Sequence, residues 1–392
     1  MGAVRSIVWC AHAIACGALV GASCAPIYCH PADPSCNAYA LILYTRSVCS
    51  LPYTAITSRE LASEVQSEIQ FQAARGSYAA PTATIIDFGL SGGNEWSGGV
   101  LAPNGKIYAM PFNRTSVLIF DPVARTIDTN TISGLSGAAN KWSGGVLANN
   151  GKIYGFPVNG PGFLVIDSNT NSVTTIGAAT GYVGGVVAPN GKIFAIPGNA
   201  VPFLVFDPTN DSTQTFGPAT GGYSGGVLGF DGKIYAIPVT AGNVLIIDPD
   251  TLATSTIAGV NGYFDAALAP DGNIYAANLG AVNALRINTA SATVTQFGTT
   301  GAINDYEGNV LASNGKVYST TRSAAQFSEI GPTGPTQSKF GALIGTWAGG
   351  ILAPDGKIYG IPRSSSGILV IDPAANGRFC APLLLSGYLN KL

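Results

Sequence analysis

The chain has 392 residues, 46% of them hydrophobic and only 10% charged, with a formal net charge of −2. Its lysines are dispersed, which argues against a nucleic-acid partner. Its two histidines, His12 and His30, both lie near the N-terminus, so no Ser–His–Asp triad, His-rich zinc site or histidine base can be built on residues 81–378.

Residues 1–23 read as a secretory signal: Arg5 is the single charge, Ile7 to Val20 is apolar, and small residues follow. Leu19-Val20-Gly21-Ala22-Ser23-Cys24 then resembles a bacterial lipobox of the relaxed, spirochaete type, which implies lipidation at Cys24 and attachment to a cell-envelope membrane, outer membrane or cell surface. A cleaved signal without lipid and an uncleaved anchor are the alternatives. With Cys24 acylated and Cys10 and Cys16 in the signal, Cys29, Cys36, Cys49 and Cys380 remain. Four cysteines allow three pairings, of which Cys29–Cys36 and Cys49–Cys380 are the favoured set, against free thiols. Residues 24–80 form a spacer. Within it Thr57 and Glu60 can make a capping box, and Leu61, Val65 and Ile69 recur every four residues, predicting a short helix near 58–74.

From residue 81 the chain repeats. Seven copies read roughly aromatic-x-Gly-Gly-Val-Leu-Ala-x-Asn/Asp-Gly-Lys-Ile-Tyr-x-x-Pro, opening at Trp96, Trp142, Tyr182, Tyr223, Tyr263, Tyr306 and Trp347. The intervals are 46, 40, 41, 40, 43 and 41 residues. In the first copy Gly98 to Ala102 and Lys106 to Met110 are apolar runs about the Asn104-Gly105 turn, predicting strands a and b joined by a type I′ hairpin. Pro111 ends strand b, Val117 to Phe120 is strand c, Asp121-Pro122 begins a capped turn, and Thr126 to Thr129 is strand d. A repeat near 40 residues with four short strands is the pattern of a propeller blade. Only six d strands follow the copies inside the array. Ala83 to Gly89 resembles Ser172 to Gly177, so 83–88 is expected to complete the last blade and close the ring.

The predicted fold is therefore all-β, a seven-bladed β-propeller over 81–378, with residues 379–392 packed on the last blade. The repeat resembles the NHL and YVTN propellers of secreted and surface proteins. Copies five and six depart most: Asn273 replaces the hairpin lysine, Gly331 the usual Asp, and Thr320-Thr321 the usual Ile-Pro. A related propeller, the virginiamycin-type lyase, uses a histidine with metal-linked acidic groups, and the repeats carry no such histidine.

No catalytic constellation, metal site or cofactor fingerprint is visible, so the reading is a binding module and not an enzyme. Asp231, Asp271 and Asp355 occupy hairpins, and Asp121, Asp207, Asp248 and Asp372 occupy c–d turns, where a turn role explains them. A lyase- or lactonase-like enzyme with a metal in the central channel is the alternative. What distinguishes one side of the ring is asymmetry. Trp347, Trp96 and Trp142 open neighbouring copies; Arg322, Arg363 and Arg114 lie in the b–c loops of copies six, seven and one; Glu95, Asp305 and Glu307 fall in the same arc. The opening aromatics, Tyr306 included, either wedge between blades or form a binding surface at the mouth of the channel. An arc of Trp, Tyr306, Arg and Glu307 suits a protein or glycan ligand.

Overall fold

The computed structural model describes residues 80–373, apart from 270, 282, 299–305, 313 and 332–334. Its strands form seven separate four-stranded antiparallel sheets. Each sheet is a blade, with strand a innermost and strand d outermost. The inner strands touch in sequence, and that of blade 7, Trp347–Leu352, returns to that of blade 1, Trp96–Leu101, so the ring is closed.

Closure is made by the first strand, Thr82–Asp87, one residue earlier than the sequence pattern suggests. It pairs with strand c of blade 7, Gly367–Asp372, from Thr82↔Asp372 to Asp87↔Gly367. The chain's two ends of the array are thereby hydrogen-bonded into one sheet.

Burial explains the apolar composition. Strands a and b of blade 1, Trp96–Leu101 and Ile107–Pro111, are buried at every position, because neighbouring blades cover both faces. Seven hydrophobic clusters fill the seven seams. The seam between blades 1 and 2 joins Val100, Tyr108 and Met110 to Trp142, Ile153 and Leu164. Each such side chain contributes about 1.5–3 kcal/mol on burial.

The paired glycines of strand a have separate tasks. Gly98 takes φ 72° and makes the bulge that lets Trp96 face Pro111 while Gly99 faces Ala109. Gly99 admits the neighbouring blade: a Cβ there would lie 2.9 Å from the Ile361 side chain.

The a–b hairpins are not type I′. Gly105 donates its N–H to the Ala102 carbonyl at 3.0 Å, and only the glycine has a positive φ, 79°. This is a type I turn followed by a left-handed glycine. Pro103, with φ held near −65°, suits the second position of that turn, and Ala148-Asn149-Asn150-Gly151 closes the same way without a proline, Gly151 donating to the Ala148 carbonyl at 2.9 Å. The c–d turns follow expectation: the Asp121 carboxylate accepts from Val123 and Ala124 N–H at 3.0 and 2.9 Å.

Candidate functional site

The a–b and c–d hairpins end the blades on one face; the b–c loops and d–a linkers end them on the other. On this second face a ladder of charges crosses three blades. Glu307, in strand a of blade 6 (Tyr306–Leu311), is buried, its side chain 2% exposed. Its Oε2 accepts from Arg363 Nη1, in the b–c loop of blade 7, at 2.6 Å. Arg363 Nε donates to Asn94 Oδ1 at 2.6 Å, which carries the ladder into the linker before blade 1. The backbone N–H of Glu95 donates to the Arg363 carbonyl at 2.8 Å, and the Glu95 carboxylate pairs with Arg114 Nε. Arg114 also donates to the Ser91 carbonyl at 2.8 Å and lies 5.5 Å over the Trp96 ring. Arg322 stands 3.8 Å from Glu307 with its side chain 40% exposed. Arg322, Arg363, Glu307 and Arg114 are thus brought to one arc. Asp305 lies outside the described residues.

The aromatic part of the expected site is corrected. Trp96, Trp142, Trp347 and Tyr306 are at most 1% exposed, so they do not present rings to a ligand. Each indole N–H is spent on a carbonyl twenty residues downstream: Trp96 on Ser116, Trp142 on Gly162 and Trp347 on Gly367, at 2.9, 2.8 and 3.0 Å. Tyr182 and Tyr263 do the same with Pro202 and Asn283 at 2.9 and 3.0 Å. The opening aromatic therefore clamps the start of strand c in its own blade while its ring fills the seam. Tyr306 departs from this: its hydroxyl is buried without a hydrogen-bond partner, as is Thr321 Oγ1 on the residue that faces it across the sheet. Burial pushes the Tyr306 phenol up to about 12.

Sequence reasoning missed Lys141, the residue before Trp142. It is fully buried, donates to the Ala138 and Phe112 carbonyls at 2.9 and 3.4 Å, and lies 5.8 Å over the Trp142 ring. Desolvation lowers its pKa. The signal was the first interval, 46 residues against 40 to 43 elsewhere, which supplies the longer linker that covers it.

Among the described residues no three His, Cys, Asp or Glu side chains gather closely enough to hold a metal ion. Cys24, Cys29, Cys36, Cys49 and Cys380, the helix expected near 58–74 and the tail 379–392 lie outside the described residues.

The fold and site define a seven-bladed β-propeller with an asymmetric charged loop face. The chain matches no protein-family model and no curated protein by sequence. Among solved structures it resembles a streptogramin B lyase at TM-score 0.65 and 12% identity, over 76% of this chain and 99% of the lyase. It resembles a catalytically inactive histidine-to-alanine variant of virginiamycin B lyase from Staphylococcus aureus with quinupristin, at TM-score 0.63 and 13% identity, over 74% and 99%. It also resembles the extracellular domain of a one-component system from B. thetaiotaomicron at TM-score 0.58 and 13% identity, covering 76% of this chain and 43% of that one. At such identities the likeness is one of fold.

Proposed function

We propose that the protein is an exported binding module, anchored to the cell envelope through Cys24, which docks a protein or glycan on the loop face of blades 6, 7 and 1. One observation carries the docking role. Every charged residue in the b–c loops, and between each strand d and the next opening aromatic, belongs to this arc or its border: Arg114, Arg322, Arg363, Glu95, Lys141 and Asp305. The same segments of blades 3, 4 and 5 up to Gly298 carry none. A repeat scaffold has no folding reason to confine its loop charges to one sector; recognition of a ligand there supplies one. The signal-like N-terminus supports export, and the extracellular location of one structural neighbour agrees with it.

The enzyme reading is weaker. The inactive lyase variant has lost a histidine, and the blades here contain no histidine to take its place.

The test is a binding screen of the full chain against immobilised extracellular-matrix proteins and glycans, run beside Arg114→Ala/Arg322→Ala. These two arginines are the exposed ones, so the variant should fold. A saturable ligand lost in the variant is expected. Undiminished binding of every ligand would remove the arc from the mechanism.

A further inference from the structure

We infer that the partner of this arc is an acidic, partly apolar protein segment and not a glycan. The inference rests on the docking role proposed above and names its ligand class.

Three observations converge on it. The first is the exposure of charge. Glu307 and Glu95 side chains are 2% and 15% exposed, whereas Arg322 and Arg114 are 40% and 41% exposed. The carboxylates are covered and the guanidinium groups face outward, so an approaching molecule meets positive charge on a chain whose net charge is −2. Arg322 is the more available of the two. Among the described residues its one ion pair is with Glu307, at 3.8 Å, through the same oxygen that Arg363 holds at 2.6 Å, and its side chain makes no hydrogen bond. Its planar fork can therefore take a carboxylate through two parallel N–H···O bonds.

The second is that the arc, among the described residues, offers no free aromatic platform. Sugar rings bind by stacking their apolar face on an aromatic one; the opening aromatics are committed to the seams, and the partly exposed ring of Phe112 already lies 6.0 Å from the Arg363 guanidinium.

The third is Ile344. Only two large apolar side chains are strongly exposed among the described residues, Val123 at 94% and Ile344 at 100%. Val123 lies in a c–d turn on the opposite face. Ile344 lies in the linker before blade 7, two residues from Thr346, whose carbonyl receives the Arg363 N–H at 3.0 Å. An exposed isoleucine in the linker that also holds the Arg363 backbone complements a peptide that offers both carboxylates and apolar side chains. It offers nothing to a polyhydroxylated chain.

The experiment uses the full chain and fluorescence anisotropy. The probe is a labelled synthetic peptide of alternating Glu and Leu; the comparators are the same peptide with Lys for Glu, and a polygalacturonate oligosaccharide. The Glu–Leu peptide should saturate and the Lys peptide should not. Arg322→Ala and Ile344→Ser should each weaken binding about tenfold, as truncated interface anchors do, while Val123→Ser leaves it unchanged. Arg322→Lys, which keeps the charge but not the fork, should recover only part of the affinity. Peptide affinity unchanged in Arg322→Ala overturns the inference, as does oligosaccharide binding without peptide binding. If the ligand found in the screen is a glycan lost in Arg114→Ala/Arg322→Ala, the ligand class falls while the docking arc stands. If no ligand responds to that variant, both fall.

Discussion

Trp142→Phe separates the clamp from the binding surface. The ring of Trp142 packs on Val100, Tyr108 and Met110 of the preceding blade, and its Nε1 donates to the Gly162 carbonyl at 2.8 Å in a buried setting. Phenylalanine keeps most of the wedge and removes the donor. A buried carbonyl stripped of its partner costs about 1–3 kcal/mol. The space vacated by the smaller ring adds about 1 kcal/mol. The sum is about 2–4 kcal/mol, which at roughly 2 °C per kcal/mol for a domain of this size lowers Tm by about 4–8 °C. Calorimetry of the two proteins reads this directly. Tyr306→Phe is the paired control. Its hydroxyl is buried with no partner, so removing it should leave Tm unchanged or slightly higher. If Trp142→Phe melted with the parent protein but lost ligand, the tryptophan would belong to the binding surface and the clamp argument would be wrong.

Arg363→Ala removes the 2.6 Å partner of the buried Glu307 carboxylate, and should cost about 3 kcal/mol in urea denaturation; Glu307→Gln added to it should recover most of the loss. Gly367→Ala should open the ring, because its Cβ would lie 2.0 Å from the Ile86 carbonyl oxygen of the closing strand. Aggregation by light scattering is expected there and not in Gly93→Ala, where nothing lies within 4 Å. Alkali should destabilise the fold. Burial raises Tyr182, Tyr223, Tyr263 and Tyr306 above the ordinary 10.0, so the folded chain keeps protons that the unfolded chain releases. That stabilisation is complete below pH 10.0 and declines as pH rises beyond it. A urea midpoint that stays level across this pH would show the phenols ionising in the folded protein.

What was legible in the sequence was what repeats. Asn104-Gly105 and its counterparts mark every hairpin, and Ala83 to Gly89 declares itself as a strand d out of place. The turn type was not legible from the Asn-Gly pair alone, because the pair serves equally as the last two residues of a type I turn: Ala148-Asn149-Asn150-Gly151 closes as Ala102 to Gly105 does, without a proline. The aromatic role was not legible because it depends on an offset. Only when strand c folds back does residue 116 meet Trp96, and residue 162 meet Trp142. The arc's arginines were found because loops that differ from their copies stand out. Asn94 and Lys141 were not, because they are ordinary linker residues until the neighbouring blade arrives.

The departures in blades 5 and 6 compensate one another. In blades 1 to 4 and 7 the position of Gly99 must be glycine, since a Cβ there meets the strand b side chain of the preceding blade: Ile361 for Gly99, Phe156 for Gly185, Ile196 for Gly226. In blade 6 that position is Asn309, and the blade before it carries Ala277 where others have Met110, Phe156 or Ile361. The space released by the alanine admits the asparagine. Asn309 Oδ1 then accepts from Ala277 N–H at 3.0 Å and from Ser319 Oγ at 2.7 Å, and its Nδ2 donates to the Asp265 carbonyl at 2.8 Å. The bonds with Ala277 and Asp265 tie blade 5, whose strand a is cut to Ala267–Leu268, to blade 6; the Ser319 bond lies within blade 6. Asn309→Gly should therefore cost about 1–3 kcal/mol through buried groups left unpaired. Ala277→Ile should cost a similar amount, about 1–3 kcal/mol, by overpacking against Asn309. The double variant restores the arrangement of the other seams and should be more stable than the sum of the two losses by about 1–3 kcal/mol. Additive losses in denaturant midpoints would mean that the two residues do not share the seam in this way.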